Sequence, residues 1–201
     1  MLAFKKIEDQ KLSIFVKMTS IFIGTTGFVS LTKCIEIETE RFFLRTLTEN
    51  DATERYLSWL HDADAKQFIT AASNTVGLVS LKKYVIEKTS QKDVYFFGIF
   101  DKTTSQHIGN IKYEPVNFKL KYAIVGVLIG ESICRGKGVT TEVLKESAIW
   151  LREWHNIKQI LLGVSKENHA AIQAYKKTGF VIAKTPYIKS TSGTISMVWG
   201  L

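Results

Sequence analysis

An apolar run over residues 120–129 ends at Gly130 and gives way to a basic, glycine-rich stretch, Gly130-Glu131-Ser132-Ile133-Cys134-Arg135-Gly136-Lys137-Gly138-Val139-Thr140, which leads straight into an amphipathic segment. This stretch restricts the fold more than any other, because a strand that turns through glycines into a helix leaves the first helical amides without partners. Glycine lets the backbone curl so that successive N–H groups face inward, and Arg135 and Lys137 add positive charge, a combination suited to phosphates. Two familiar phosphate loops are excluded. A Walker A loop needs Ser or Thr after Gly-Lys, yet Gly138 follows Lys137, and the residue five before Gly136 is Glu131. A dinucleotide fingerprint needs Gly-x-Gly-x-x-Gly, yet Gly136-x-Gly138 continues to Thr141. Read alone, the stretch is equally compatible with a glycine turn that binds nothing.

A chain of 201 residues suits one domain able to bury a core without disulfides or metal. Lys and Arg outnumber Asp and Glu, 27 against 19, which favours a polyanionic ligand, an acidic partner or nucleic acid without choosing among them. The basic residues are scattered without a long run, so nucleic-acid binding ranks last. Cys34 and Cys134 lie far apart with no Cys-x-x-Cys and no His-rich companion, so free thiols in a reducing, cytoplasmic setting and no metal are expected. Residues 1–33 carry Lys5, Lys6, Lys11, Lys17 and Lys33 against Glu8 and Asp9. Their apolar run, 21–31, is interrupted by Gly24, Thr25, Thr26 and Gly27. It is too short and too diluted to span a bilayer and lacks an Ala-x-Ala cleavage site, so neither a membrane segment nor export is expected. These residues form an N-terminal extension before a single domain at 34–201. An extra strand or hairpin, a mobile tail, and an upstream extension with the functional start at Met18 all remain open for it.

The rest of the pattern is regular. Residues 35–47 are rich in β-branched and aromatic side chains with a turn at Glu40-Arg41, which predicts a strand or two-strand arm. Thr48-Glu49-Asn50-Asp51 has helix-start chemistry, and Ala52, Tyr56, Leu57 and Leu60 follow at helical spacing. A short helical piece through Phe68, a polar break at Ser73-Asn74 and a helix over 78–90 come next, the last with Leu81, Tyr84 and Val85 inward and Lys82, Lys83, Glu87 and Lys88 outward. Residues 94–100, 107–118 and 120–129 form a meander whose short connections imply antiparallel pairing. A helix over 138–154 is expected to bury Val143, Leu144, Ala148, Leu151 and Trp154 and to expose Glu142, Lys145, Glu146, Arg152 and Glu153. A strand at 158–164, a helix at 168–177 and strands at 179–184 and 194–199 complete the chain, the last with Ile195, Met197 and Trp199 on one face. The order predicts an α/β (α+β) fold with a mixed, mostly antiparallel central sheet flanked by helices.

Two blocks then carry a family resemblance. Arg135-x-x-Gly138-x-Thr140 at a helix start, followed by Val164-x-x-x-Asn168-x-x-Ala171-Ile172-x-x-Tyr175-x-Lys177-x-Gly179-Phe180, resembles the pyrophosphate loop and second signature block of the GNAT superfamily of acetyl-CoA-dependent N-acetyltransferases. The likeness covers residues 35–201. Its opening phrase, Glu38-Thr39-Glu40-Arg41-Phe42-Phe43-Leu44-Arg45, is similar to the branch of ribosomal-protein N-terminal, polyamine and amino-sugar acetyltransferases. One position departs from the pattern. The family most often has Gly or Ala where this chain has Thr140, whose N–H stays available and whose hydroxyl can donate to an anion.

The resemblance implies a GNAT-like acyl-CoA N-acyltransferase fold, acetyl-CoA (coenzyme A) as co-substrate, and an amine acceptor, either a small molecule or a protein N-terminus, with room for a homodimer. By the same resemblance, the backbone near Leu128 and Ile129 holds the pantetheine arm, and Arg135 belongs to the loop in which the amides of Gly136, Lys137, Gly138, Val139 and Thr140 take the pyrophosphate. Asn168 bonds the cofactor near its pantetheine, Lys177 reaches its outer phosphate, and Tyr175 is the general acid for the departing thiolate. Each has a plainer reading: a core aromatic for Tyr175, a helix cap for Asn168, a solvated charge for Lys177. Glu114, Glu131, His107, Asp62 and Asp64 are bases by residue type, and no spacing selects one. The segment at 53–62 looks like the helix of enzymes that acetylate amino-sugar nucleotides, although Tyr56 and Trp59 are by type more often core residues than sugar platforms. An inactive acyl-CoA-binding module stands as the alternative to an enzyme.

Overall fold

The computed structural model describes residues 14–17, 34–62, 77–189 and 191–201. Among these residues are nine strands: β1 (Ile14–Lys17), β2 (Cys34–Glu38), β3 (Phe42–Thr46), β4 (Tyr95–Asp101), β5 (His107–Asn117), β6 (Tyr122–Ile129), β7 (Gln159–Ser165), β8 (Val181–Ile182) and β9 (Thr194–Gly200). Four α-helices lie between them among the described residues: α1 (Glu54–His61), α2 (Leu78–Ser90), α3 (Val139–His155) and α4 (His169–Thr178). The strands form one sheet in the order β1-β2-β3-β4-β5-β6-β7-β9-β8. Every neighbouring pair is antiparallel except β6 and β7. The sheet is therefore mixed and mostly antiparallel, as the strand order and short connections predict. The expected helical piece through Phe68 and the break at Ser73-Asn74 lie outside the described residues.

Both faces of the sheet are covered. On one, Val139, Val143, Leu144, Ala148 and Leu151 of α3 and Ile172 and Tyr175 of α4 pack with Ile35, Ile37, Phe97, Ile111 and Ile160. On the other, Tyr56, Leu57, Trp59 and Leu60 of α1 and Leu81 and Val85 of α2 pack with Leu47, Val94 and Phe96. Strand alternation and helical spacing supply these two apolar surfaces, and their burial drives the layers together.

Local sequence pattern misplaced four details. The helix-start residues at 48–51 form a single 3-10 turn, and α1 begins after Thr53, whose side chain accepts from the Tyr56 N–H. Asp51 closes a capping box on this turn, accepting from the Thr48 N–H at 2.7 Å, and also turns back to Arg45, with which it makes two hydrogen bonds of 2.8 and 2.6 Å. Trp150, not Trp154, is the buried tryptophan of α3, at 2% against 37% exposure. Glu142 is not a solvated residue but is hydrogen-bonded to Thr39 and Arg41. The strand expected at 179–184 shrinks to two exposed residues, because only Val181 and Ile182 pair with β9.

Candidate functional site

The parallel pair at the centre of the sheet is short. β6 and β7 pair only at Tyr122↔Gln159, Ala123↔Ile160 and Ile124↔Leu161. Beyond these, β6 runs on to Ile129 against β5, and β7 runs on to Ser165 against β9, so the two strands diverge and leave a gap inside the sheet. The Gly130 N–H donates to the Ile108 carbonyl on the β5 side. The Ile129 carbonyl, across the same planar peptide, therefore points into the gap, and the Ile129 N–H lies on that side too, as in any extended residue. Leu128 alternates with it: its carbonyl lies toward β5, 2.3 Å from where a side-chain carbon on Gly109 would stand, so only glycine fits at 109. Of the two strand residues singled out by sequence, Ile129 presents backbone to the gap, whereas Leu128 contributes a side chain packed against the α1–α2 cluster.

The glycine-rich stretch follows. A 3-10 turn at Ser132–Cys134 uses the amides of Cys134 and Arg135, which donate to Glu131 and Ser132 carbonyls at 3.0 Å each. Gly136 and Gly138 then take φ of +73° and +77°, left-handed values that favour glycine. Gly138 caps α3. The amides of Gly136, Lys137, Gly138, Val139 and Thr140 find no acceptor among the described residues, so five unpaired donors follow one another at the helix start, where an anion can be held. Arg135 is engaged elsewhere. Its guanidinium donates to the Ile129 carbonyl at 3.0 Å, the Gly130 carbonyl at 3.1 Å and Asp62 at 3.4 Å, which staples the loop to the end of β6. The Lys137 side chain is exposed, while its carbonyl accepts from Arg41 at 3.1 Å.

Helix α4 docks on the start of α3 through Thr141 Oγ1, which donates to the Ala174 carbonyl at 3.4 Å. Tyr175 is 8% exposed in the cluster that also holds Val139, Val164 and, at its margin, Val127 and Ile129. Among the described residues its hydroxyl has no hydrogen-bond partner, and burial pushes its pKa up to about 12. Asn168 caps α4, its Oδ1 accepting from the Ala171 N–H at 3.1 Å. That leaves its Nδ2 free to donate, so cap and ligand contact are compatible. Lys177 stands exposed on α4.

On the other face Trp59 closes over Gly130 and donates from Nε1 to Glu131 at 2.9 Å, and Arg55 reaches the same carboxylate oxygen at 2.7 Å. The Arg55 hydrogen bond holds the Glu131 carboxyl below its usual range. Glu114 sits between Lys88 and Lys112, 2.6 Å from each ammonium. Burial disfavours its charge, but the two lysines outweigh that and keep its pKa low. His107 is packed against Tyr56, Trp59 and Phe100, and burial lowers its pKa despite the Asn110 hydrogen bond. Asp62 pairs with Arg135, and Asp64 lies outside the described residues. Among the described residues no group of three or more His, Cys, Asp or Glu side chains is placed to hold a metal, and no helix is long and apolar enough to cross a membrane.

Thr39, Arg41 and Glu142 were not legible as a group. Glu142 accepts from Thr39 Oγ1 at 2.6 Å and from the Arg41 N–H and Nε at 2.7 Å each. Burial opposes the Glu142 charge, yet these donors hold its carboxyl below the usual range. The partners stand about a hundred positions apart, and a glutamate in a first helical turn reads locally as dipole complement, so no periodic signal joins them.

A family model described as an acetyltransferase (GNAT) domain matches residues 41–181. A comparison with curated protein sequences finds no match. Among solved structures, the chain is similar to spermidine N-acetyltransferase from Vibrio cholerae in complex with CoA and spermine. The TM-score is 0.67 at 17% identity, over 80% of this chain and 95% of that one. It is also similar to ribosomal-protein-S5-alanine acetyltransferase from Vibrio fischeri, with a TM-score of 0.64 at 18% identity over 81% and 94% of the two chains. A microcin C7 self-immunity acetyltransferase in complex with acetyl-CoA and AMP gives a TM-score of 0.68 at 12% identity over 81% and 93%. At such identities these likenesses speak for the fold.

Proposed function

The chain belongs to the GNAT acetyltransferase family, and from that premise we propose that it moves the acetyl group of acetyl-CoA to a primary amine by direct attack in a ternary complex. One observation carries this reading: the gap between β6 and β7 runs into a loop whose five consecutive amides, 136–140, have no acceptor among the described residues. A strand edge continued by an anion cradle suits a ligand with an amide-bearing arm and a pyrophosphate.

Acetyl-CoA supplies a thioester carbonyl open to an amine. The Ile129 N–H, directed into the gap, is the donor for the charge that develops on that carbonyl oxygen. The amides of Gly136, Lys137, Gly138, Val139 and Thr140 hold the pyrophosphate, with the Lys137 side chain adding charge and Arg135 acting through the loop it staples. Leu128 lines the acceptor side of β6, Asn168 Nδ2 donates to the pantetheine, and Lys177 is the cation for the outer phosphate. Tyr175 keeps its proton at neutral pH because burial penalises phenolate. The same penalty makes a hydrogen bond to the departing sulfur less costly for it than full proton transfer.

The acceptor amine must lose its own proton. Glu114 and Glu131 are held ionised beside cations and are weak bases near neutrality. That favours an amine with a low pKa, about 7.7–8.0 for an α-amine against about 10.4 for lysine, which releases its proton to water. A protein N-terminus or an amino-sugar nucleotide fits. The same pairing of acids with cations favours a second reading, an acyl-CoA-binding module without turnover. Free-thiol release from acetyl-CoA against N-terminal peptides, lysine peptides, polyamines, aminoglycosides and amino-sugar nucleotides separates the two. Release with one acceptor supports the enzyme; cofactor binding with no release from any acceptor supports the module.

A further inference from the structure

Arg41 occupies the turn between β2 and β3, far in sequence from the glycine loop yet in contact with it. Its Nη2 donates to the Lys137 carbonyl at 3.1 Å and its Nε to Glu142 Oε2 at 2.7 Å, while its backbone N–H donates to Glu142 Oε1 at 2.7 Å. Thr39 Oγ1 donates to the same Oε1 at 2.6 Å. Glu142 stands in the first turn of α3, so the helix fixes the carboxylate and the carboxylate fixes the guanidinium plane. Among the described residues no other side chain hydrogen-bonds to residues 136–138.

We propose that Arg41 is a positioning residue for the phosphate-binding loop: by drawing the Lys137 carbonyl outward it turns the Gly138 N–H inward. The reason is peptide geometry. The carbonyl of one residue and the N–H of the next lie on opposite sides of a trans peptide, so holding one aims the other. Glycine at 138 makes the restraint necessary, since a residue without a side chain crosses readily between left- and right-handed backbone and a flipped 137–138 peptide would put a carbonyl oxygen where a phosphate belongs. A Gly138 side-chain carbon would stand 3.7 Å from Arg41 Nη2, so the guanidinium lies against the outside of the loop. An ion pair with Arg41 45% exposed adds little to stability. Its consequence lies in orientation, and the two are separable by experiment.

This inference rests on the coenzyme A reading above. The test is calorimetric titration of coenzyme A into the full chain and into Arg41→Gln, Arg41→Lys and Glu142→Gln, with thermal unfolding of each free protein. Arg41→Gln is expected to unfold close to the wild-type temperature and to bind coenzyme A about tenfold or more weakly, the change that loss of one charge-assisted hydrogen bond produces. Arg41→Lys is expected to remain closer to Arg41→Gln than to wild type, because an ammonium lacks the planar fork that meets Glu142 and a carbonyl together. Glu142→Gln, which keeps the side-chain shape and frees Arg41, is expected to weaken binding as well and carries the test if Arg41→Gln does not fold. Wild-type protein that binds no coenzyme A overturns the cofactor reading together with this inference. Wild-type affinity in folded Arg41→Gln or Glu142→Gln, or full recovery by Arg41→Lys, overturns this inference alone.

Discussion

Gly130→Ala is the substitution whose cost follows most directly from the geometry. An added carbon would stand 2.0 Å from Trp59 Cδ2 and 2.4 Å from Cε2 and Cε3, about 1.5 Å short of ordinary carbon contact near 3.5 Å. The φ of Gly130 lies outside the left-handed region, so the backbone accepts alanine and the whole penalty is steric. Trp59 is 4% exposed and cannot swing away without losing its hydrogen bond to Glu131. Overpacking costs about 1–3 kcal/mol and loss of a hydrogen bond to a charged group about 1.5–3 kcal/mol, so a destabilisation of about 2.5–6 kcal/mol is expected. Urea unfolding followed by tryptophan fluorescence measures it. The decisive arm is a double-mutant cycle with Trp59→Ala. Without the ring the three closest contacts of the added carbon are gone, so Gly130→Ala should be close to neutral there, or stabilising by about 0.4–1 kcal/mol through a less flexible unfolded chain. An equal loss in both backgrounds would refute the clash and, with it, the claim that Trp59 requires glycine at the end of β6.

Three further outcomes are expected. Tyr175→Phe should lower kcat for thiol release about 10- to 100-fold, the range for loss of one hydrogen bond to a charged group, with the KM for acetyl-CoA little changed; steady-state kinetics checks this. Asp51→Asn should cost about 2–3 kcal/mol at pH 7, since burial of the carboxyl is outweighed by its bonds to Arg45 and Thr48, which depress its pKa. A depressed folded pKa gives stability that is present above the unfolded value, about 3.9, and is lost as pH falls through the folded one, so the gap between mutant and wild type should shrink in urea melts as the pH is lowered below about 4. Trp150→Ala should cost about 3–5 kcal/mol and Trp154→Ala less than about 1 kcal/mol, a contrast that chemical denaturation reads directly.

Most of the architecture was legible because the sheet and helices advertise themselves locally. The limits of α2 and the meander of β4, β5 and β6 follow from turn chemistry and apolar periodicity, and the mixed sheet follows from their order. The misses share one cause. Thr48 to Asp51 carry helix-start residues and do form a capping box, but the turn they cap is a single 3-10 turn whose Asp51 is tied back to Arg45, and the α-helix begins after it at Glu54. Trp150 and Trp154 sit four positions apart on one helix, and only the aromatic wall of Tyr95 and Phe97 decides which of them is enclosed.

The sequence alone determined the glycine loop, the helix it launches and the downstream Asn168 and Tyr175, because backbone freedom, helix capping and residue order are local properties. Only the tertiary structure decided which groups the loop turns inward. The divergence of β6 from β7 exposes Ile129 and not Leu128, Arg135 is spent on holding the loop to β6, and Arg41, nearly a hundred residues away, grips the Lys137 carbonyl. Those outcomes depend on which strand edges meet and where a guanidinium finds its carboxylate, and neither is written in the spacing of residues along the chain.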